Sequence, residues 1–354
     1  MAKQNVYTLQ QRHIPGAAAA FAPNVTTSVP LPLSGYITQL DCLIRVNVTD
    51  TGGALLEDPF ARLIRALRIK SSGARSWVDF SDGRQWKYYS WLQYAGKLGI
   101  DPFSVSSVTA DYYALIPLHI GTFPQDDFDT SVVIPAVETT DLNMEVVWGA
   151  AADIGAGITI NNAEMIITVN EIALAPGEKR SLIWKKGLVM PRFEPVIVPI
   201  AQAFANLGQN NNLPVGDTLN RIVVMVAETT VNPRGLRTNA FATDLGVKFP
   251  KLREIPWESQ FLSQVYRTQR KYDLAQQLFV HDAIAAIPAG QGDTRYALRG
   301  HINGVTQVDG MQLSGRAIGI DLTRAVTGDA QLSFTTSVAA FATADIHLLH
   351  YLLS

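Results

Sequence analysis

Cysteine is nearly absent: Cys42 is the one cysteine in 354 residues, so no intrachain disulfide and no cysteine-built zinc site can hold this chain. Charge is scarce too. Lys+Arg number 29 and Asp+Glu 31, together 17% of the residues with a formal net charge of −2; an ordinary soluble domain carries roughly 25%. The missing basic excess argues against a general nucleic-acid binder, and no sequence-specific nucleic-acid partner is expected. No stretch approaches about 18 uninterrupted apolar residues, so no membrane-spanning helix is expected. The start, MAKQNVYTLQQRHIPG, has no apolar core ahead of a small-residue cleavage site. No secretory signal is therefore expected, and the chain reads as made in a reducing cytoplasm.

The usual catalytic patterns are missing as well. There is no G-x-S-x-G elbow, no G-x-x-x-x-G-K-[ST] loop and no H-E-x-x-H. Gly155-Ala156-Gly157 lacks a third glycine and reads as a turn. His347 and His350 are three apart in a terminal strand, where a period of two puts them on opposite faces. They cannot jointly hold a metal there and read as edge or core histidines. Asp126, Asp127 and Asp129 lack the glycine and distal glutamate of a calcium loop and read as a solvated loop. Asn24-Val25-Thr26 and Asn47-Val48-Thr49 match glycosylation sequons only by chance if no secretory signal exists. Arg62, Arg65 and Arg68 on a strand would not share one face, so they do not cradle a phosphate. No catalytic residue, cofactor or metal site is predicted.

What is present is apolar material with a β period. Hydrophobic residues make up 47%, and mean hydropathy is +0.10. That excludes disorder, and with so little charge it implies that other copies of the chain cover much of the surface. Residues 1–34 read as extended, because alternating prolines such as Pro30 and Pro32 forbid helix. Residues 1–24 form the expected arm. It holds no carboxylate, and its Lys3, Arg12 and His13 are the residues that would face a membrane or a neighbouring subunit. From Tyr36 the pattern alternates, with Thr38, Leu40, Cys42, Ile44, Val46 and Val48 on the apolar face of a strand. Further strands are expected at Leu63–Ile69, Trp77–Phe80, Tyr112–Ile120, Leu142–Trp148, Ile158–Ile160 and Met165–Leu174.

A helix is predicted over 82–98, with Asp82 as N-cap and Gln85 at the third position. Its Trp86, Tyr88, Tyr89, Trp91 and Tyr94 could stack on sugars or bases, but helical spacing makes them a helix packed on a barrel. Residues 176–195, rich in Lys, Arg and bracketing prolines, read as a linker. The second half then repeats the order. Strands are predicted at Thr218–Thr230 and Leu245–Leu252, and a helix at Pro256–Phe279 with Pro256 first. Its apolar stripe is Trp257, Phe261, Val265, Tyr272, Ala275 and Phe279. Strands return at Tyr296–Ile302, Met311–Asp321, Leu332–Phe341 and Asp345–Leu353. Alternating strands with one helix per half argue against a parallel α/β sheet. The predicted class is all-β: two tandem eight-stranded jelly-roll sandwiches at 25–175 and 196–354, each with one accessory helix.

The segments VPLPLSGYITQLDCLIRVNVT, LIRALRIKSSG, DGRQWKYYSWLQYAG, YYALIPLHIG and TDLNMEVVWGA, followed by a second pass in the same order, carry a resemblance. The chain resembles the double jelly-roll major capsid proteins of tailless icosahedral bacteriophages with an internal membrane, the lineage that includes adenovirus hexon. The resemblance spans about residues 25–354 and rests on element order and length. It implies a virion structural protein and not an enzyme, made in the host cytoplasm. Homotrimers of pseudo-hexagonal outline would tile an icosahedral shell. The implied partners are sister copies, minor capsid and vertex proteins, and the lipid headgroups of an internal membrane. A competing expectation is a carbohydrate- or receptor-binding jelly-roll spike or adhesin, which needs an exposed aromatic platform. A β-sandwich glycosidase would need two carboxylates at a fixed separation, and no pair stands out.

Overall fold

The computed structural model describes residues 7–51, 55–72, 76–94, 98–100, 109–122, 128–200, 208–230, 232, 234–239, 242–271, 304–310, 313, 319–336 and 343–354. These divide into two compact units, with the boundary in the chain at Pro191/Arg192.

The first unit holds β1 (Tyr7–Ile14), β2 (Thr26–Pro30), β3 (Tyr36–Asp50), β4 (Ile64–Lys70), β5 (Ser76–Phe80), β6 (Gly99–Ile100), β7 (Thr109–His119), β8 (Asn143–Trp148) and β9 (Ile158–Leu174). One sheet runs β1-β9-β3-β7-β6 and the other β2-β8-β4-β5. If the long strands are lettered B to I in chain order, with the two-residue β6 left out, the sheets read B-I-D-G and C-H-E-F. That order is a jelly roll. Short helices α1 (Pro59–Leu63), α2 (Gly83–Gln93) and α3 (Ala151–Ile154) fill the connections.

The alternation read from the sequence is visible in β3. Leu40, Cys42, Ile44, Val46 and Val48 are buried, and Asp41, Leu43, Arg45 and Asn47 between them are half-buried. The strand expected to break between Ile160 and Met165 is instead one strand of 17 residues. The polar pair Asn161-Asn162 is absorbed by a bulge, where Asn47 faces Asn162 and Val48 faces Ile160. Tyr7–Ile14, inside the expected arm, is a sheet member: β1 pairs antiparallel with β9 from Tyr7↔Leu174 to Ile14↔Ile167. Within the basic segment after β9, Trp184 lies with its ring 4.5 Å from that of Tyr36, and both are buried.

The second unit holds β10 (Pro191–Ile200), β11 (Gly208–Asn212), β12 (Thr218–Glu228), β13 (Leu236–Arg237), β14 (Ala242–Phe249), β15 (Glu254–Gln260), α4 (Phe261–Lys271), β16 (Val305–Asp309), β17 (Ile320–Asp321), β18 (Gln331–Thr336) and β19 (Ala344–Leu353). β10-β19-β12 is continued by β16 on β12, and the facing sheet is β11-β18-β14-β15. The B-I-D-G and C-H-E-F order returns, with β13 and β17 as short extras. Leu219, Ile222, Val224 and Val226 from β12 share a core with Ile346, Leu348 and Leu352 from β19 and with Leu245, Val247, Leu332 and Phe334 from the other sheet.

The helix predicted from Pro256 starts five residues later. Residues 254–260 pair with β14 instead, Trp257 facing Val247 and Glu258 facing Gly246. β15 is the edge of its sheet, where a proline costs no ladder bond. Tyr272–Phe279 of that helix and the strand expected at Tyr296–Ile302 lie outside the described residues. The strand expected over Leu245–Leu252 stops at Phe249, and Pro250–Leu252 form a 3-10 turn.

Candidate functional site

The aromatic helix α2 is the most heavily built element. Every residue from Gly83 to Gln93 is buried. Asp82 caps it by accepting from the Arg84 backbone N–H at 2.8 Å. The expected capping box is altered: the Gln85 side chain accepts from the Ser81 backbone N–H at 3.0 Å, one residue before the cap. Trp86, Tyr88, Tyr89 and Trp91 face no solvent, so they offer no stacking platform, and the Tyr89 hydroxyl donates to the His119 carbonyl at 3.0 Å. The helix ends at Gln93, short of the predicted 98, because Gly99-Ile100 already pair with β7.

A cluster of charges surrounds the start of α2. Arg84 donates from Nε and Nη2 to the two Asp82 oxygens at 3.1 and 3.0 Å, and its Nη1 lies 4.0 Å from Glu57. Arg62 donates to the Glu57 carbonyl at 2.7 Å. Lys87 and the Tyr88 hydroxyl both donate to Asp58, which holds a left-handed backbone at φ 56°. Three carboxylates thus meet three cations, and no net charge is buried. Burial works against the Arg84 charge, but Asp82, Glu57 and Asp58 more than offset it and its pKa lies above the ordinary value. The expectation that Arg62 lies on a strand fails: it belongs to α1 and is fully buried, while Arg65 pairs with Asp153 and Arg68 with Asp79. The spacing signal for this cluster, Glu57-Asp58-Pro59 ahead of Arg62, is a helix start that the sequence reading passed over.

The arm residues are not brought together. Arg12 donates from Nε to Glu171, a buried carboxylate that also accepts from the Ser34 hydroxyl at 2.7 Å. His13 is exposed on β1, and Lys3 lies outside the described residues. Asp129 is held by Ser131 and lies 3.8 Å from His119 Nε2, whereas Asp126 and Asp127 lie outside the described residues. His347 and His350 are both buried in β19. His350 alternates with Leu348 and Leu352 toward the core, and burial drives its pKa down to about 4 against a backbone contact from Glu194. Among the described residues no group of three or more His, Cys, Asp or Glu is placed to hold a metal ion, and no helix is long and apolar enough to cross a membrane.

No protein-family model and no curated protein sequence matches the chain. Solved structures do match. The major capsid protein of STIV, the Sulfolobus Turreted Icosahedral Virus, aligns over 98% of this chain and 96% of its own at TM-score 0.72 and 13% identity. Both jelly rolls are therefore matched by one chain. The fold is the double jelly roll. The double jelly-roll major capsid protein of Faustovirus aligns at TM-score 0.59 and 8% identity, over 99% of this chain and 91% of that one. Protein P2 of bacteriophage PM2 aligns at TM-score 0.52 and 10% identity, over 98% of each.

Proposed function

We propose that this double jelly roll is the major capsid protein of an icosahedral virion and works by assembly, not by catalysis. The observation that carries the reading is the tandem repeat of one sandwich order in a single chain, matched end to end by a viral major capsid protein. Three copies around a threefold axis present six similar lobes, so a homotrimer has a pseudo-hexagonal outline and such tiles can pave an icosahedral face. Sister capsomers, minor capsid proteins and vertex proteins are the partners. The spike or adhesin alternative loses its support because Trp86, Tyr88, Tyr89 and Trp91, the dense aromatic group that could form its platform, are buried.

Within that reading the shell covers an internal membrane, and the segment carrying Lys3 and His13 meets anionic headgroups. Arg12 contributes less, since its guanidinium is held by Glu171. Each basic residue near such a surface adds only about 1 kcal/mol, so the attraction is a sum over many copies. Mass determination in solution followed by electron microscopy tests the main claim. A particle three times the 38.6 kDa chain mass with a hexagonal outline supports it, and a stable monomer overturns it. Flotation with phosphatidylglycerol vesicles tests the membrane claim: Lys3→Glu with His13→Glu abolishes co-flotation if it holds, and unchanged co-flotation rejects it.

A further inference from the structure

We propose that the solvent face of α4 in one copy docks head to tail on the outer face of the first unit's β9-β3-β7 sheet in a second copy. The inference rests on the capsomer reading and adds which two surfaces meet.

The donor surface is a short amphipathic helix. Phe261, Gln264, Val265 and Thr268 are buried, while Leu262 and Tyr266 are 40% and 48% exposed one turn apart. Arg267 and Arg270 are exposed beside them, form no salt bridge among the described residues, and have no acid on the helix to offset them. A helix with two large apolar residues and two uncompensated cations facing water calls for an acidic, partly apolar partner.

Such a surface exists on the first unit. Residues directly opposite in antiparallel strands share a face. Leu43 faces Leu115 on one side and Ile166 on the other, and Arg45 in the next row faces Tyr113 and Glu164. Leu115 and Tyr113 are 40% and 39% exposed. Asp41, Asp111 and Glu164 belong to the same face, with Arg45 its one strong cation: it lies 3.0 Å from Asp111 and 3.4 Å from Glu164. Hydrogen bonds from Asn47 and Arg45 hold Asp111 below the ordinary carboxylate range, so it stays charged. Two negative charges are left over against the two exposed arginines of α4, Arg267 and Arg270. The dimensions agree. An 11-residue helix is about 16 Å long and about 10 Å wide; three strands across and four residues along make a patch of about 10 by 14 Å. The two surfaces differ, so the contact is heterologous, as a closed ring of three requires.

The test uses two tagged versions of the full chain, one with Leu115→Cys and one with Tyr266→Cys, expressed together and treated with a short bismaleimide. The native Cys42 is fully buried, and burial raises its thiol pKa well above the ordinary value, so it stays silent. A covalent dimer of the two tags, absent when either variant is expressed alone, is the expected result. Arg267→Glu with Arg270→Glu should weaken assembly at least tenfold by analytical ultracentrifugation, with the unfolding transition unchanged. A native trimer that neither cross-links nor responds to this charge reversal overturns the inference and leaves the capsomer reading intact. Dimers formed by Tyr266→Cys alone also overturn it, since they mark an isologous contact. A wild-type chain that stays monomeric overturns both.

Discussion

The helices α2 and α4 have the same length and the same place in their jelly rolls, each entered directly from the fifth strand of its sandwich, and they meet water in opposite ways. α2 is covered on every side, and six charged side chains are tied off at its start. α4 buries one face on the second core and leaves the other open. The difference begins in the chain between the third and fourth strands. In the first unit that stretch forms α1, which approaches α2 closely because Gly83 has no side chain. In the second unit no helix occupies that stretch among the described residues, and α4 starts with the bulky Phe261. One topology thus gives an internal strut in one lobe and a surface in the other.

Arg84→Ala should break the strut. It leaves the buried Asp82, and the partly buried Glu57 beside it, with one cation fewer, and an uncompensated buried charge costs about 3–5 kcal/mol. Urea unfolding followed by tryptophan emission checks it. Trp77, Trp86, Trp91, Trp148 and Trp184 lie in the first unit and only Trp257 in the second, so the signal belongs mainly to the lobe being tested. An undisturbed midpoint would mean that the charge cluster is incidental to α2.

The second lobe has its own buried titratable group. His350 has a folded pKa of about 4, below the ordinary 6.5. As pH falls, the unfolded chain takes up the proton first, so unfolding gains protons. The His350 contribution is complete above pH 6.5, declines from pH 6.5 to 4 and is flat below. The loss over the window is about 3 kcal/mol. Calorimetric scans of the wild type and of His350→Leu check this, since the substitution should flatten the slope in that window. An unchanged slope assigns it to other groups.

How much of this was legible in the residues follows from which forces are local. The strand β3 could be read because alternate burial leaves a period of two, and α2 because Asp82 and its aromatic spacing are local signals. The start of α4 could not be read. PWESQ has a helix-compatible pattern, and only its pairing with β14 makes it a strand. The length of β9 was hidden for a similar reason, since a bulge at Asn161 looks like an interruption. Arg62 and Arg84 illustrate the remaining gap. Charged residues read as solvated unless their partners are known; Asp82 and Glu57 are near neighbours of Arg84 and Arg62, but the approach of Arg84 to Glu57, which joins α1 to α2, is a tertiary contact. Of the expected arm, Arg12 was legible as a cation but not as the partner of Glu171, which lies 159 residues away.

Gly83→Ala sharpens the comparison at its origin. A Cβ there would stand 2.6 Å from the Ile64 carbonyl oxygen and closer still to that of Ala61. Both are backbone atoms that cannot swing aside, so α1 must shift away from α2. The expected cost is about 1–3 kcal/mol, the usual range for overpacking. Hydrogen exchange should show α1 amides losing protection while α4 amides are unaffected. Equal loss in both helices would mean that the two lobes are not independent at this level.

Tyr266→Ala on α4 should have the smallest effect on the isolated chain and is the most diagnostic. The ring is 48% exposed, and surface truncations of this kind usually stay within about 0.5 kcal/mol. Its unfolding midpoint should therefore match the wild type, whereas Trp91→Ala on α2 removes a buried ring and costs about 3–5 kcal/mol. If instead Tyr266→Ala destabilises the monomer as much as Trp91→Ala, α4 is a strut like α2 and the contrast between the lobes disappears. A silent midpoint combined with weakened self-association is the result expected of a half-exposed ring that assembly removes from water.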